Sequence, residues 1–224
     1  MRVNAWLAVA CVVAAGLVAV PASALGPVDV ELEGRYWVND FEKVDEIEDL
    51  DEEASAVGWR GRLWIGRFGV HVEQHSSDTS DLEPKGTVTS AELEFKLLEF
   101  GDSFLGVGAG WQRNEYEYGP YTSTAEGLRL SAEVSVELFW ILRGTARGGY
   151  YPDLGDVSDG AGSTWEDVNG YDWELAVGIH PLPFLWFSAG YREAQIGADG
   201  VSGAAGGSTD FTNSGYFGAV GVKF

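Results

Sequence analysis

Thiol chemistry is the first thing this sequence lacks. Of 224 residues only Cys11 is a cysteine, and it sits inside an apolar N-terminal run. The rest of the chain therefore has no disulfide framework, no thiolate metal site and no cysteine nucleophile. Positive charge is scarce as well: 14 Lys and Arg stand against 35 Asp and Glu, a formal net charge of -21. Phosphates would be repelled and no Lys/Arg cluster forms a basic face, which excludes nucleic acid as a partner. Past residue 24, no apolar run approaches the roughly 20 residues of a spanning helix.

Residues 1–24 differ in composition from everything that follows. Arg2 gives a positive start, Ala5 to Val20 is apolar apart from Gly16, and Pro21 leads into Ala22-Ser23-Ala24. A short apolar run ended by small residues is the plan of a secretory signal cleaved after Ala24. The expected organisation is a signal peptide over 1–24 and one β domain over 25–224.

From Val28 onward the dominant pattern is alternation, which marks strands. Val28, Val30, Leu32, Tyr36 and Val38 oppose Asp29, Glu31, Glu33, Arg35 and Trp37. Val57 to Ile65 and Phe68 to Val72 repeat the pattern around a tight Gly66-Arg67 turn. It recurs over Thr89 to Leu97, Leu105 to Gln112, Leu128 to Leu138, Leu142 to Tyr151, Tyr171 to His180 and Leu185 to Arg192. With the C-terminal stretch the strands number about ten, eight or twelve being the alternatives. Short turns at Gly66-Arg67, Phe100 to Ser103, Phe139 to Ile141 and Pro181 to Phe184 alternate with long polar connections. Those span about 40–54, 76–86, 117–124, 152–168 and 197–211.

The last ten residues, GYFGAVGVKF, set Tyr216, Gly218, Val220, Val222 and Phe224 on one strand face. Gly215, Phe217, Ala219, Gly221 and Lys223 fall on the other, read as the small or polar side. Aromatics flank the short turns (Phe68, Phe100, Phe104, Phe139, Trp140, Phe184, Trp186). They also mark the long-loop ends (Trp59, Trp111, Tyr118, Tyr121, Tyr150, Tyr151, Tyr171, Trp173, Tyr191). Even strand number, loop asymmetry, two aromatic girdles and a terminal Phe together resemble small monomeric outer-membrane β-barrels of Gram-negative bacteria. The resemblance implies an all-β, antiparallel, up-and-down transmembrane barrel with both termini in the periplasm. It also implies contact with outer-membrane lipid and lipopolysaccharide. Tyr216, Val220, Val222 and Phe224 would be the signal read by the barrel-assembly machinery.

With the apolar set facing lipid, the opposite set lines the lumen, and it is charged. Glu31, Glu33 and Arg35 neighbour the strand of Arg60 and Arg62; Glu73 follows on the next strand, then Glu92, Glu94 and Lys96. Arg129, Glu133 and Glu137 neighbour the strand of Arg143 and Arg147, with Asp172 and Glu174 beyond. Buried charges of opposite sign must pair to offset desolvation. The expectation is a cross-strand ion-pair network, with Glu31 and Glu33 meeting Arg60 and Arg62, and Glu133 and Glu137 meeting Arg143 and Arg147. The rival is a narrow porin-like path, since the glycines at 106, 108 and 110 leave room for long side chains or for water.

His71 and His75 share the spacing of a helical zinc pair, but on a strand that spacing puts them about 13 Å apart. They read as polar lumen residues; no metal and no cofactor is expected. An outer-membrane enzyme is the alternative. Omptin-like proteases have ten strands and place aspartates and an Asp-His pair at the extracellular mouth, where only His75 with Asp78 or Asp81 would qualify. His180 maps beside a periplasmic turn, and no Ser-His constellation of a lipid hydrolase is recognisable. A ligand-binding surface protein is the other alternative. Asp40 to Glu53 holds nine acids around Lys43, and Asp153, Asp156, Asp159, Glu166 and Asp167 follow later. These acidic outer loops read as solvated and repulsive, with divalent cations as a candidate partner.

Overall fold

The computed structural model describes residues 28–45, 50–78, 85–118, 121–139, 141–158, 164–198, 200–202 and 209–224. Residues 1–24, expected to be a signal peptide, lie outside them. Ten strands make the barrel: β1 (Val28–Asp45), β2 (Leu50–Ile65), β3 (Phe68–Asp78), β4 (Lys85–Phe100), β5 (Ser103–Tyr118), β6 (Tyr121–Leu138), β7 (Leu142–Tyr151), β10 (Asn169–Leu182), β11 (Leu185–Ala198) and β13 (Thr209–Lys223). Three short strands, β8 (Val157–Ser158), β9 (Thr164–Glu166) and β12 (Gly200–Ser202), form a separate sheet.

Each barrel strand pairs antiparallel with its neighbours and the ring closes through β1 and β13. Val30 and Phe224 exchange backbone hydrogen bonds of 3.0 and 2.9 Å beyond the last register pair, so the terminal residue is part of the closure. Closure leaves no sheet edge to be satisfied by lipid, which has no hydrogen bonds to offer. Two of the short turns, Gly66-Arg67 and Gly101-Asp102, place glycine at φ 60° and 61°, where a side chain would be strained.

The strands overrun the expected loops. β1 and β6 have 18 residues each, against the 9–11 or so that cross a bilayer. Of the connections expected at 40–54, 76–86 and 117–124, residues 40–45, 50–54, 76–78, 85–86, 117–118 and 121–124 are strand. The acidic stretch is corrected in the same way: residues 40–45 and 50–53 belong to β1 and β2, with Asp40 opposite Glu53 and Glu42 opposite Asp51. The register of β1 with β2 and β13 runs unbroken through these residues and carries the sheet outward.

Side-chain polarity is inverted relative to a soluble domain. Val38, Leu93 and Val177 face outward, while Glu92 at 2% exposure and Arg129 at 4% face in. Outward aromatics Phe68, Phe100, Phe139 and Phe184 ring the short-turn end, and Trp59, Trp111, Tyr150 and Tyr171 the other. Three residues assigned to the girdles by position alone point inward instead: Phe104, Tyr151 and Trp186 are buried in the lumen. Strand parity decides this, since Phe104 lies on the same face as Gly106 and Gln112. Phe217 corrects the small-or-polar reading of its face; it is buried with Trp37 and Ala56, and the Arg35 guanidinium lies 4.5 Å from its ring.

At the long-loop end an apolar cap closes part of the mouth. Leu154, Val157 and Val168 pack on Ala125, Tyr151 and Ala198, with Trp165 and Ile196 alongside. Leu154 donates to Val168 O at 2.7 Å and accepts from Glu126 N at 3.0 Å, which ties the cap to β6.

Candidate functional site

Arginines with long side chains on the inner face project toward the barrel axis, and there they meet carboxylates from far strands. Arg62 of β2 forms a two-pronged pair with Glu133 of β6, one arm at 3.1 Å. Arg60 Nη2 reaches Glu174 of β10 at 3.0 Å, and Arg35 Nη2 binds the same carboxylate at 2.8 Å. Arg143 of β7 donates to Glu31 of β1 at 3.0 Å. Arg192 of β11 pairs with Glu73 of β3, and with Asp172 at 3.1 Å. On the ring of ten, β2 and β6, β2 and β10, β1 and β7, and β3 and β11 are each four steps apart, close to the widest separation possible.

A second cluster fills the same level. Arg147 Nη2 donates to Glu92 at 2.9 Å and lies 3.2 Å from Glu94. Arg129 Nη2 holds both oxygens of Asp172 at 2.7 and 2.8 Å, and its Nη1 holds Glu92. Because Glu73, Glu92, Asp172 and Glu174 each accept from two guanidiniums, the clusters merge into one layer of charge-assisted hydrogen bonds.

The expected register holds, but the pairing differs from it. Glu31 does stand opposite Arg62, at 3.8 Å, and Glu133 opposite Arg147, at 4.0 Å. Glu33 stands opposite Arg60, yet it pairs with Arg35 and accepts from Trp186 Nε1 at 3.0 Å, while Arg60 goes to Glu73 and Glu174. Glu137 stands opposite Arg143, which instead reaches Glu31; Glu137 lines the chamber at the short-turn end. Arg60 pairs both ways, bonding Glu73 directly opposite on β3 and reaching Glu174 across the lumen. Lys96, at the lower edge, binds Glu99 at 3.0 Å and lies 4.7 Å from the Trp64 ring.

His71 was read only as polar lumen. The register sets it directly opposite Glu92, and ligand atoms of His71, Glu92 and Glu94 lie within 4.8 Å of one another. The same carboxylates already carry Arg147, which is also 3.0 Å from His71 Nε2, so a cation there would meet a guanidinium. His75 is buried in the lumen against Glu73 and Arg192 and lines the space beneath Trp37 and Tyr151. Asp81 lies outside the described residues. His180 sits beside the short turn, as its sequence position implied, stacked on Trp186.

Space along the lumen is uneven. Within the charged layer the voids are about 10 and 40 Å³. Toward the short turns a chamber of about 350 Å³ opens, and above the charges, under the cap, lies one of about 70 Å³. Asn39 and Asn114, which the sequence did not single out, shape this upper end together with Tyr151. Their only advance signal was parity with the charged set.

Neither a family model nor a curated protein matches the sequence. Among solved structures, the outer membrane protease OmpT from Escherichia coli superposes with a TM-score of 0.61 at 12% identity, covering 89% of this chain and 98% of that one. Neisserial surface protein A gives a TM-score of 0.40 at 13% identity over 89% and 98%. The COG4313 outer membrane channel from Pseudomonas putida F1 gives 0.45 at 11% over 92% and 97%. The OmpT superposition carries the conclusion on fold: this chain has the closed β-barrel fold of a bacterial outer-membrane protein.

Proposed function

We propose that the chain is an integral outer-membrane barrel whose lumen is closed by its own ion pairs, a structural surface protein and not an open pore. The observation that carries this reading is the charged layer at mid-lumen. Four of its pairs run between strands four steps apart on the ring, and voids of about 10 and 40 Å³ lie among them. Solute passage would require several of those pairs to separate at once, each leaving charge without a partner in a space short of water.

The exposed apolar outer face supports placement in outer-membrane lipid with lipopolysaccharide around the long-strand end. Short turns and both termini then face the periplasm, and Tyr216, Val220, Val222 and Phe224 on β13 serve as the assembly signal for a monomeric barrel. β1 and β6 stand out beyond the bilayer as a stiff extension. Planar-bilayer recording tests the closed reading. The purified, heat-modifiable barrel is expected to give no conductance steps; discrete steps from the wild type would make it a porin-like channel instead.

A further inference from the structure

The outer wall is not evenly convex. On β7 the outward-facing Gly144 and Ala146 are half-buried, because taller side chains flank them. The register sets Val136 and Val177 on either side of Gly144, and Val134 and Leu175 on either side of Ala146. Those four are 41–64% exposed, so they stand as two ridges above a floor of small residues. Past the second ridge the floor continues at Ala189, opposite Val177, and ends against Tyr191 and Tyr216, whose rings meet edge to face at 5.2 Å. The whole hollow measures about 650 Å³.

Nothing within the chain asks for glycine on that floor. A Cβ added at Gly144 would meet no atom within 4 Å, and the residue does not adopt a positive φ. Glycine weakens a strand interior, and one without an internal reason marks a place where something from outside comes close. The ridges belong to strands two apart, roughly 10 Å between axes at about 4.8 Å per strand. That width admits one hydrocarbon chain.

The choice of occupant rests on the placement of this wall in outer-membrane lipid. Gly144 and Ala146 come two and four residues after Leu142, the short-turn end of β7. In a strand rising about 3.3 Å per residue and tilted about 40°, they lie about 5–10 Å up, in the periplasmic half of an apolar band about 25 Å tall. Phospholipid, not lipopolysaccharide, supplies the chains there. Water finds no polar partner among valine, leucine and alanine side chains. A second barrel is convex, so its wall would rest on the ridges and leave the floor empty. A chain seated in the trough touches the floor and both ridges, where one on a convex wall touches a single side, and the added dispersion contacts hold it.

We infer that the β7 trough retains one acyl chain of a periplasmic-leaflet phospholipid. Native mass spectrometry of the barrel in mild detergent, with palmitoyl-oleoyl-phosphatidylethanolamine and lipid A at equal concentration, reads the occupant directly. The wild type should keep one phosphatidylethanolamine. Gly144→Leu, whose side chain has open space to fill the trough, should lower that occupancy at least about five-fold. Ala146→Leu is the second variant should Gly144→Leu not migrate as a folded barrel. Ala91→Leu, at an exposed position of β4 away from the trough, should leave the occupancy unchanged.

A wild type that keeps no lipid, keeps lipid A instead, or appears as a dimer without lipid would overturn the inference. So would folded trough variants loaded like the wild type, or an Ala91→Leu variant that loses lipid as they do. Heat-modifiable insertion into vesicles reports separately on membrane placement, and conductance on the closed lumen, so each reading fails by its own measurement.

Discussion

The middle of the lumen and its long-loop end are walled by the same strands but closed by opposite chemistry. At the middle, guanidinium and carboxylate groups cross the axis, and Arg35, Arg60 and Glu174 share contacts among three strands. At the end, Leu154, Val157 and Val168 fold back from the chain after β7 and seal against Tyr151 and Ala125 by apolar contact. The difference follows from what each region can reach. A ten-strand ring is narrow enough for two long side chains to span it, but they need partners of opposite sign. A mouth open to solvent can draw on loop residues, so apolar burial suffices there. The first closure belongs to the barrel and cannot be lost without it; the second is an attachment.

Perturbing each region separately should break or sharpen that contrast. Arg129→Met removes the donor shared by Asp172 and Glu92 and leaves Asp172 with Arg192 alone and Glu92 with Arg147 alone. Urea unfolding from lipid vesicles should show a loss of about 3–5 kcal/mol. A variant as stable as wild type would mean the layer fills space without holding the barrel. Gly149→Ala follows: the added methyl would strike the Arg129 guanidinium and Asp172 Oδ1, displacing a pair with no change in charge. The same measurement should fall by about 1–3 kcal/mol.

Leu154→Ala acts on the cap alone. Hydrogen exchange at Leu154 and Glu126 should lose about 2 kcal/mol of protection while the unfolding midpoint of the barrel stays put. A midpoint that moved with the cap would show the two closures to be one unit. Smallest is Trp59→Phe on the lipid-facing side, where an exposed indole donates to Gln74 at 3.1 Å. Its effect should stay within about 0.5 kcal/mol, and a larger one would put weight on the outer face that the comparison assigns to the inside.

Alternation over Val28 to Val38, Leu128 to Leu138 and Gly215 to Phe224 was enough to read a barrel with a greasy outside and a charged inside. It was enough because a strand's side-chain period is two whatever it pairs with. The same parity would have sent Phe104, Tyr151 and Trp186 inward, had it been weighed above closeness to a turn or loop. Pairings one strand away, such as Glu31 with Arg62, were legible too. Those four steps away on the ring were not, because the ring's circumference, and hence the distance from β2 to β6, exists only once the sheet has closed.

By itself, then, the sequence determined which face of most strands points outward, that the strands number about ten, and that the inner charges nearly balance. Tertiary structure decided which charge meets which, that the strands run on beyond the expected loop boundaries, and that an apolar cap and a small chamber lie above the ion pairs. The reason is range. Polarity and period are properties of consecutive residues, whereas the partner of Arg62 is set by where the closed wall places Glu133.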